Sequence, residues 1–184
     1  MKPTEELSHE HQAILTMIRV LGRVADRLDA GAAVDPDDLE QAVGFIRGFA
    51  DKCHHAKEEG HLFPEMEKAG IPRDRGPIGV MLAEHVQGRA HVAAMAAAIP
   101  EIRKGDRTAA RAFASAARGY GELLVQHIMK EDRILYPMAD ARLTPEQQDS
   151  LEACFAEVEK NIVGEGKHEE YHRLLERLER TYLA

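Results

Sequence analysis

A chain of 184 residues is long enough for one domain with a sizeable core and an appendage. The formal net charge of -8, from 24 basic and 32 acidic side chains, argues against nucleic acid as a main partner and against an anionic membrane surface, since both need clustered Lys and Arg. Hydrophobic residues at 44% are ordinary for a globular protein and aromatics at only 5% favour helix, but 10 histidines need an explanation.

Thr4 reads as the cap of a first helix reaching about Asp29, before Gly31. Asp35 followed by Pro36 opens a second helix to about Lys68, before Gly70. The segment GIPRDRGPIG, residues 70–79, reads as a loop, and a third helix spans roughly residues 78–103. A fourth runs from near Asp106 to about Arg142. Thr144 and Pro145 open a fifth to about Ile162, and a short last helix covers roughly 168–183. Pro64, Pro100 and Pro137 fall late in helices two, three and four and are expected to kink or end them. The N-terminus MKPTEELSHEHQ shows no apolar h-region or cleavage site, and no apolar run approaches the length of a membrane span. Cys53 and Cys154 form no disulfide framework, so a reducing, cytoplasmic setting is expected.

The first four segments carry apolar seams with steps of three and four, the pattern of a bundle with near-parallel packing. Helix one gives Leu7, His11, Ile14, Ile18, Leu21; helix two gives Val43, Ile46, Ala50, His54, Glu58, then His61 or Leu62. Helix three gives Met81, His85, Gly88, Val92, Met95; helix four gives Ala117, Tyr120, Leu124, His127, Glu131, Ile134. Every seam is interrupted by His, and two by Glu one turn later. A buried, unpaired carboxylate is costly, so these residues need partners, and four helices meeting at one level would bring them together. His and Glu at i and i+4 share a face about 6 Å apart along the axis, so an imidazole can bind one metal while the carboxylate reaches a second. Such a donor set suits iron, manganese or zinc.

The segment CHHAKEEGHLFPEME, residues 53–67, aligns without a gap on QHIMKEDRILYPMAD, residues 126–140. His54 falls on His127, Glu58 on Glu131, Glu59 on Asp132, Phe63 on Tyr136 and Pro64 on Pro137. LSHEHQAIL likewise places His11 on His85 in MLAEHVQGR. An internal duplication of a two-helix hairpin is therefore expected, and a symmetric site suits two metals better than one.

The order His, His-x-x-x-Glu, His, His-x-x-x-Glu resembles the hemerythrin-like, or HHE cation-binding, proteins. The matching text is SHEHQAIL, HHAKEEGHLFP, AEHVQGR and QHIMKEDRILYP, within about residues 7–140. The resemblance implies an all-α, up-down-up-down four-helix bundle over residues 1–142. It also implies two non-haem, carboxylate-bridged irons on His11, His54, Glu58, His85, His127 and Glu131. Oxygen-carrying members have a second His one turn after the helix-three ligand, where this chain has Arg89, with Gly88 in the seam. Plain oxygen carriage is therefore not expected. The pattern is more similar to bacterial hemerythrin-like proteins, including those linked to iron–sulfur repair, without their cysteine-bearing N-terminal domain. The expected role is to bind, sense or reduce oxygen, peroxide or nitric oxide, more as a binding protein than an enzyme. Iron storage or delivery for cluster repair is the alternative.

Several residues stand outside the repeated set. His55, about 100° round the helix from His54, is an open alternative as an extra ligand, although its repeat partner is Ile128. His61 reads as a core or supporting residue, and His9 and His91 as solvated. Glu10 and Glu84 are assigned to a solvated face, with orientation of a ligating imidazole as the alternative. Cys53 reads as a small buried residue, and Gly88 either leaves room for a small-molecule pocket or allows close helix packing. Residues 143–184 are expected to form a C-terminal helical extension that packs on the bundle or dimerises through Tyr171, Leu174, Leu175, Leu178 and Tyr182.

Overall fold

The computed structural model describes residues 1–164 and 166–184, which are all-helical with no strand among them. Among the described residues there are six helices, α1 (Pro3–Asp29), α2 (36–68), α3 (Pro77–Arg103), α4 (107–142), α5 (145–163) and α6 (Lys167–Tyr182). Local chemistry sets their ends. The Asp35 carboxylate accepts from the Asp37 N–H, Asp106 accepts from Thr108 and Ala109, and Thr144 forms a reciprocal cap with Gln147. Helix α1 begins one residue before Thr4, because Pro3 suits the first helical position and frees the Thr4 hydroxyl to donate to Asp140 on α4. Gly31 ends α1 in the left-handed region, at φ 71°.

Pro64 and Pro137 do not end their helices. Each follows a widened turn, Glu58–Leu62 and Glu131–Leu135, in which the N–H of Phe63 donates to the Glu58 carbonyl and that of Tyr136 to the Glu131 carbonyl. A proline ring strikes the carbonyl four residues back in a regular α-helix, and the extra residue in the turn relieves that contact. Each wide turn begins at a seam glutamate. A third, Ile46–His55, carries His54 and His55, and wider winding lessens the rotation between these neighbours. Helix α3 does not end at Pro100 but continues to Arg103.

Packing joins α1 to α4, α3 to α4, and α2 to α3, while α6 lies along α1 and α2. Two apolar clusters form. The larger includes Met17, Leu21, Phe45, Phe49, Met95, Phe113 and Leu124 and takes in Leu175, Leu178 and Tyr182 of α6. The smaller contains Leu7, Leu62, Phe63, Met81, Leu135 and Tyr136, with Leu151 and Phe155 of α5. A layer of histidines and glutamates separates the two. Helix α6 is pinned by Arg177 and the Tyr182 hydroxyl, both on Asp38 at 2.7 Å. Its Tyr171 sits so close to Gly48 that a side chain there would displace it. No helix among the described residues is long and apolar enough to cross a membrane.

Candidate metal centre

His11 comes from α1, His54 and Glu58 from α2, His85 from α3, and His127 and Glu131 from α4. All six meet in the polar layer, each 0–1% exposed. They divide crosswise. His11 and His54 converge with Glu131, and His85 and His127 converge with Glu58 and His55. The Nε2 atoms of His11 and His54 lie 3.1 Å apart, as do those of His85 and His127. Glu131 reaches both sides, its Oε2 3.2 Å from His11 and its Oε1 3.0 Å from His127. Glu58 Oε2 is 3.4 Å from His85 and 3.8 Å from His54.

The outer ring nitrogens are all held by carboxylates. His11 Nδ1 faces Asp132 at 2.9 Å, His54 faces Glu10 at 2.8 Å, His85 faces Glu59 at 2.7 Å and His127 faces Glu84 at 2.9 Å. An imidazole that donates from Nδ1 keeps a lone pair on Nε2, so the four lone pairs point inward. Two such acceptors 3.1 Å apart repel unless positive charge stands between them. Among the described residues, Glu58 Oε2 and both Glu131 oxygens also lack a hydrogen-bond partner, as does His55 Nε2. A buried carboxylate left so is expensive. The titration behaviour makes the same demand for a cation. Burial would lower His11, yet Asp132 and Glu131 outweigh it and push the ring up to about 9. His85 rises to about 9 as well, with Glu58 and Glu59 prevailing over burial. Inward imidazole nitrogens with bridging, unsatisfied carboxylates are a donor set that fits a pair of divalent ions of the first transition row.

Comparison with known proteins bears directly on this arrangement. Residues 2–139 match the model of the hemerythrin HHE cation binding domain. The chain belongs to that family. It is 26% identical over 162 residues, 88% of its length, to an uncharacterized protein of Mycobacterium bovis, and equally so to uncharacterized proteins of two Mycobacterium tuberculosis strains. The chain spans only 62% of the length of these relatives. No solved structure matches it.

Within this hemerythrin-type layer, residues beyond the six do much of the positioning. Glu10, read from the sequence as solvated, is buried. Its carboxylate is held at about 2 because His54 and Lys57 outweigh burial. Glu84 is half-buried and holds His127 and Lys130. Lys57 is wholly buried and joins Glu6, Glu10 and Glu159 of α5 at 2.6–2.8 Å. Tyr136 was absent from the sequence reading of the site. Its hydroxyl donates to Glu58 Oε1 at 2.8 Å and its ring stacks on His11 at 5.6 Å. Burial, with Glu131 and Glu58, raises its pKa, so it stays a donor. Its seam-adjacent place beside Pro137 and its alignment with Phe63 were the available signals.

His61 does not enter the layer. Leu62 takes the seam position, and His61 faces Cys154 and Glu157 of α5. His9 is exposed, and His91 is half-buried against Gly119. Cys53 is buried, and burial with Glu10 pushes its thiol up to about 12, which makes it a poor nucleophile. A cavity of about 260 Å³ is lined by Asp51, His55, Gly88, Arg89, Val92 and Tyr120 among others, and it reaches the polar layer at His55. The Tyr120 hydroxyl in its wall has no hydrogen-bond partner among the described residues.

Proposed function

We propose that two metal ions, iron in the cell, lie in this layer on His11, His54, Glu58, His85, His127 and Glu131, and that the protein binds or reduces oxygen, peroxide or nitric oxide. The single observation that carries the reading is the convergence of four inward imidazole nitrogens on carboxylate oxygens that have no other partner. In this reading residues 1–142 form an up-down-up-down bundle of two duplicated hairpins, and residues 143–184 are an extension packed on it. The matching wide turns before Pro64 and Pro137 support the duplication. Free Cys53 and Cys154 fit a reducing, cytoplasmic setting.

Bound iron would supply a redox-active centre able to take a small ligand. Glu58 and Glu131 hold the two sides together, and the outer carboxylates keep each imidazole turned inward. The apolar clusters above and below exclude water. The cavity beside Gly88 gives a small molecule a path to the layer, with the His55 ring and the Tyr120 hydroxyl among its polar contacts, beside Asp51 and Arg89. Glu58 and Glu131 are fully buried, which favours retention of the ions over their transfer to another protein.

The test is to purify the protein without oxygen, quantify its metals, and record spectra on adding oxygen, peroxide and nitric oxide separately. Iron at two ions per chain with a reversible spectral change supports binding, and rapid loss of peroxide supports reduction. A folded protein that takes up no iron would sink the reading. Gly88→Leu tests the path. A Cβ at Gly88 already meets Leu124 at 3.5 Å and Tyr120 at 3.7 Å, so the larger side chain should fill the cavity. Nitric oxide binding should fall while iron content is unchanged.

A further inference from the structure

We propose that His55 is a fifth imidazole ligand, completing the side of the centre built on His85, His127 and Glu58. This rests on the two-metal reading above and extends it to a residue outside the repeated set, since the equivalent position in the other hairpin is Ile128.

His55 is only 4% exposed, and its Nε2 has no hydrogen-bond partner among the described residues. A buried polar atom left so is costly, so the position needs an occupant for that lone pair. The other ring nitrogen faces Asp51 at 3.3 Å. His55 thus repeats what His11, His54, His85 and His127 do, with one nitrogen on a carboxylate and the other turned away from it. Asp51 is the fifth carboxylate in that role. It is itself gripped by Arg89, at 2.7 Å, and Arg89 also grips Glu59, the carboxylate behind His85. One guanidinium therefore steadies the supports of two neighbouring imidazoles.

The positions agree. One ligand atom each from His55, Glu58, His85 and His127 all lie within 4.8 Å of one another. Donors around a single ion at bond lengths of about 2.0–2.2 Å lie up to about 4.4 Å apart, so a drawing-in of the side chains with a turn of the His55 ring closes the set. The His55 ring lies face to face with His85, centroids 3.8 Å apart and 20° between the planes, so it turns out of that stack for both in-plane lone pairs to reach one ion. The wide turn Ile46–His55 explains how two adjacent residues both face inward, His54 towards His11 and His55 towards His85. The two sides of the centre then differ, with two imidazoles on the His11 side and three on the His85 side. The same ring forms the inner wall of the cavity, so a small molecule entering there meets a ligand first.

The experiment titrates metal-free wild type and His55→Ala with ferrous iron under anaerobic conditions, and separately with cobalt(II), whose visible absorption reports its coordination. Circular dichroism checks the fold of each. Wild type should take two ions. His55→Ala should bind the first as tightly and the second about 10–100-fold more weakly, or worse, with a changed cobalt spectrum. Asp51→Asn should show a smaller loss on the same ion, because it only orients the ring, and His61→Ala should show none. His55→Gln serves if the alanine variant does not fold. Two ions bound by the folded variant with unchanged affinity and spectrum overturn the assignment, as does equal weakening of both. In those cases the two-metal reading stands; wild type that takes up no metal would remove both.

Discussion

The two sides of the polar layer are built from the same parts and finished differently. On the His11 side, Lys57 behind Glu10 is fully buried and tied to α5 through Glu159. On the His85 side, the equivalent Lys130 behind Glu84 is 31% exposed. His11 stacks on Tyr136, whose hydroxyl binds Glu58, whereas His85 stacks on Phe63, which has no hydroxyl to give. The His85 side has instead His55, Gly88 and the cavity. Repeated chemistry sets the inner frame, and the covering elements make the two sides differ.

The largest way to break this comparison is through the lysines. Lys57→Met leaves Glu6, Glu10 and Glu159 facing one another without their cation. Removing one partner of a buried ion pair costs about 3–5 kcal/mol, so chemical denaturation should show a loss of that order. If Lys57→Met is no worse than Lys130→Met, the two sides are not energetically distinct.

Tyr136→Phe comes next and makes the His11 side resemble the other. It removes a hydrogen bond to a buried carboxylate, worth about 1.5–3 kcal/mol. Denaturation of the metal-stripped variant measures this, and a cost below that range would mean that Glu58 Oε1 finds another partner.

The pH dependence sharpens the comparison by testing both sides at once. In the metal-stripped protein His11 and His85 are raised from 6.5 to about 9. A raised folded-state pKa stabilises most below the unfolded value, so this stabilisation is complete below pH 6.5 and is lost as pH rises through about 9. Melting temperature should fall across that window, and metal-loaded protein should lose less because the ions replace the protons. A metal-stripped protein with a flat profile would contradict the inward placement of these rings. The smallest effect is that of Lys130→Met, about 0–1 kcal/mol, because its partly exposed ion pair is screened by water.

Much of this was legible in the chain. The seams place His11, His54, Glu58, His85, His127 and Glu131 on inward faces, and the structure brings all six within one layer. Periodicity records which face a residue occupies, and burial of that face is the dominant energy term. The supporting carboxylates were harder to read. Glu10 sits next to His11 in sequence but orients His54 on another helix, and Asp132 follows Glu131 but orients His11. Charged residues flanking a seam look solvated until the partner helix is placed beside them. His61 and Leu62 were equally compatible with the seam, and the wide turn before Pro64 decided for Leu62.

The sequence by itself determined the helices, their inward faces and the repeated His and Glu pattern, because these follow from local propensity and spacing along one chain. Only the tertiary structure decided the crosswise pairing of Glu131 with His11 and Glu58 with His85, the burial of Lys57 under α5, the Tyr136 hydroxyl on Glu58, and the inward turn of His55. Each of these depends on which side chains from different helices come within hydrogen-bond reach. That is fixed by the winding and packing of whole helices rather than by spacing within one.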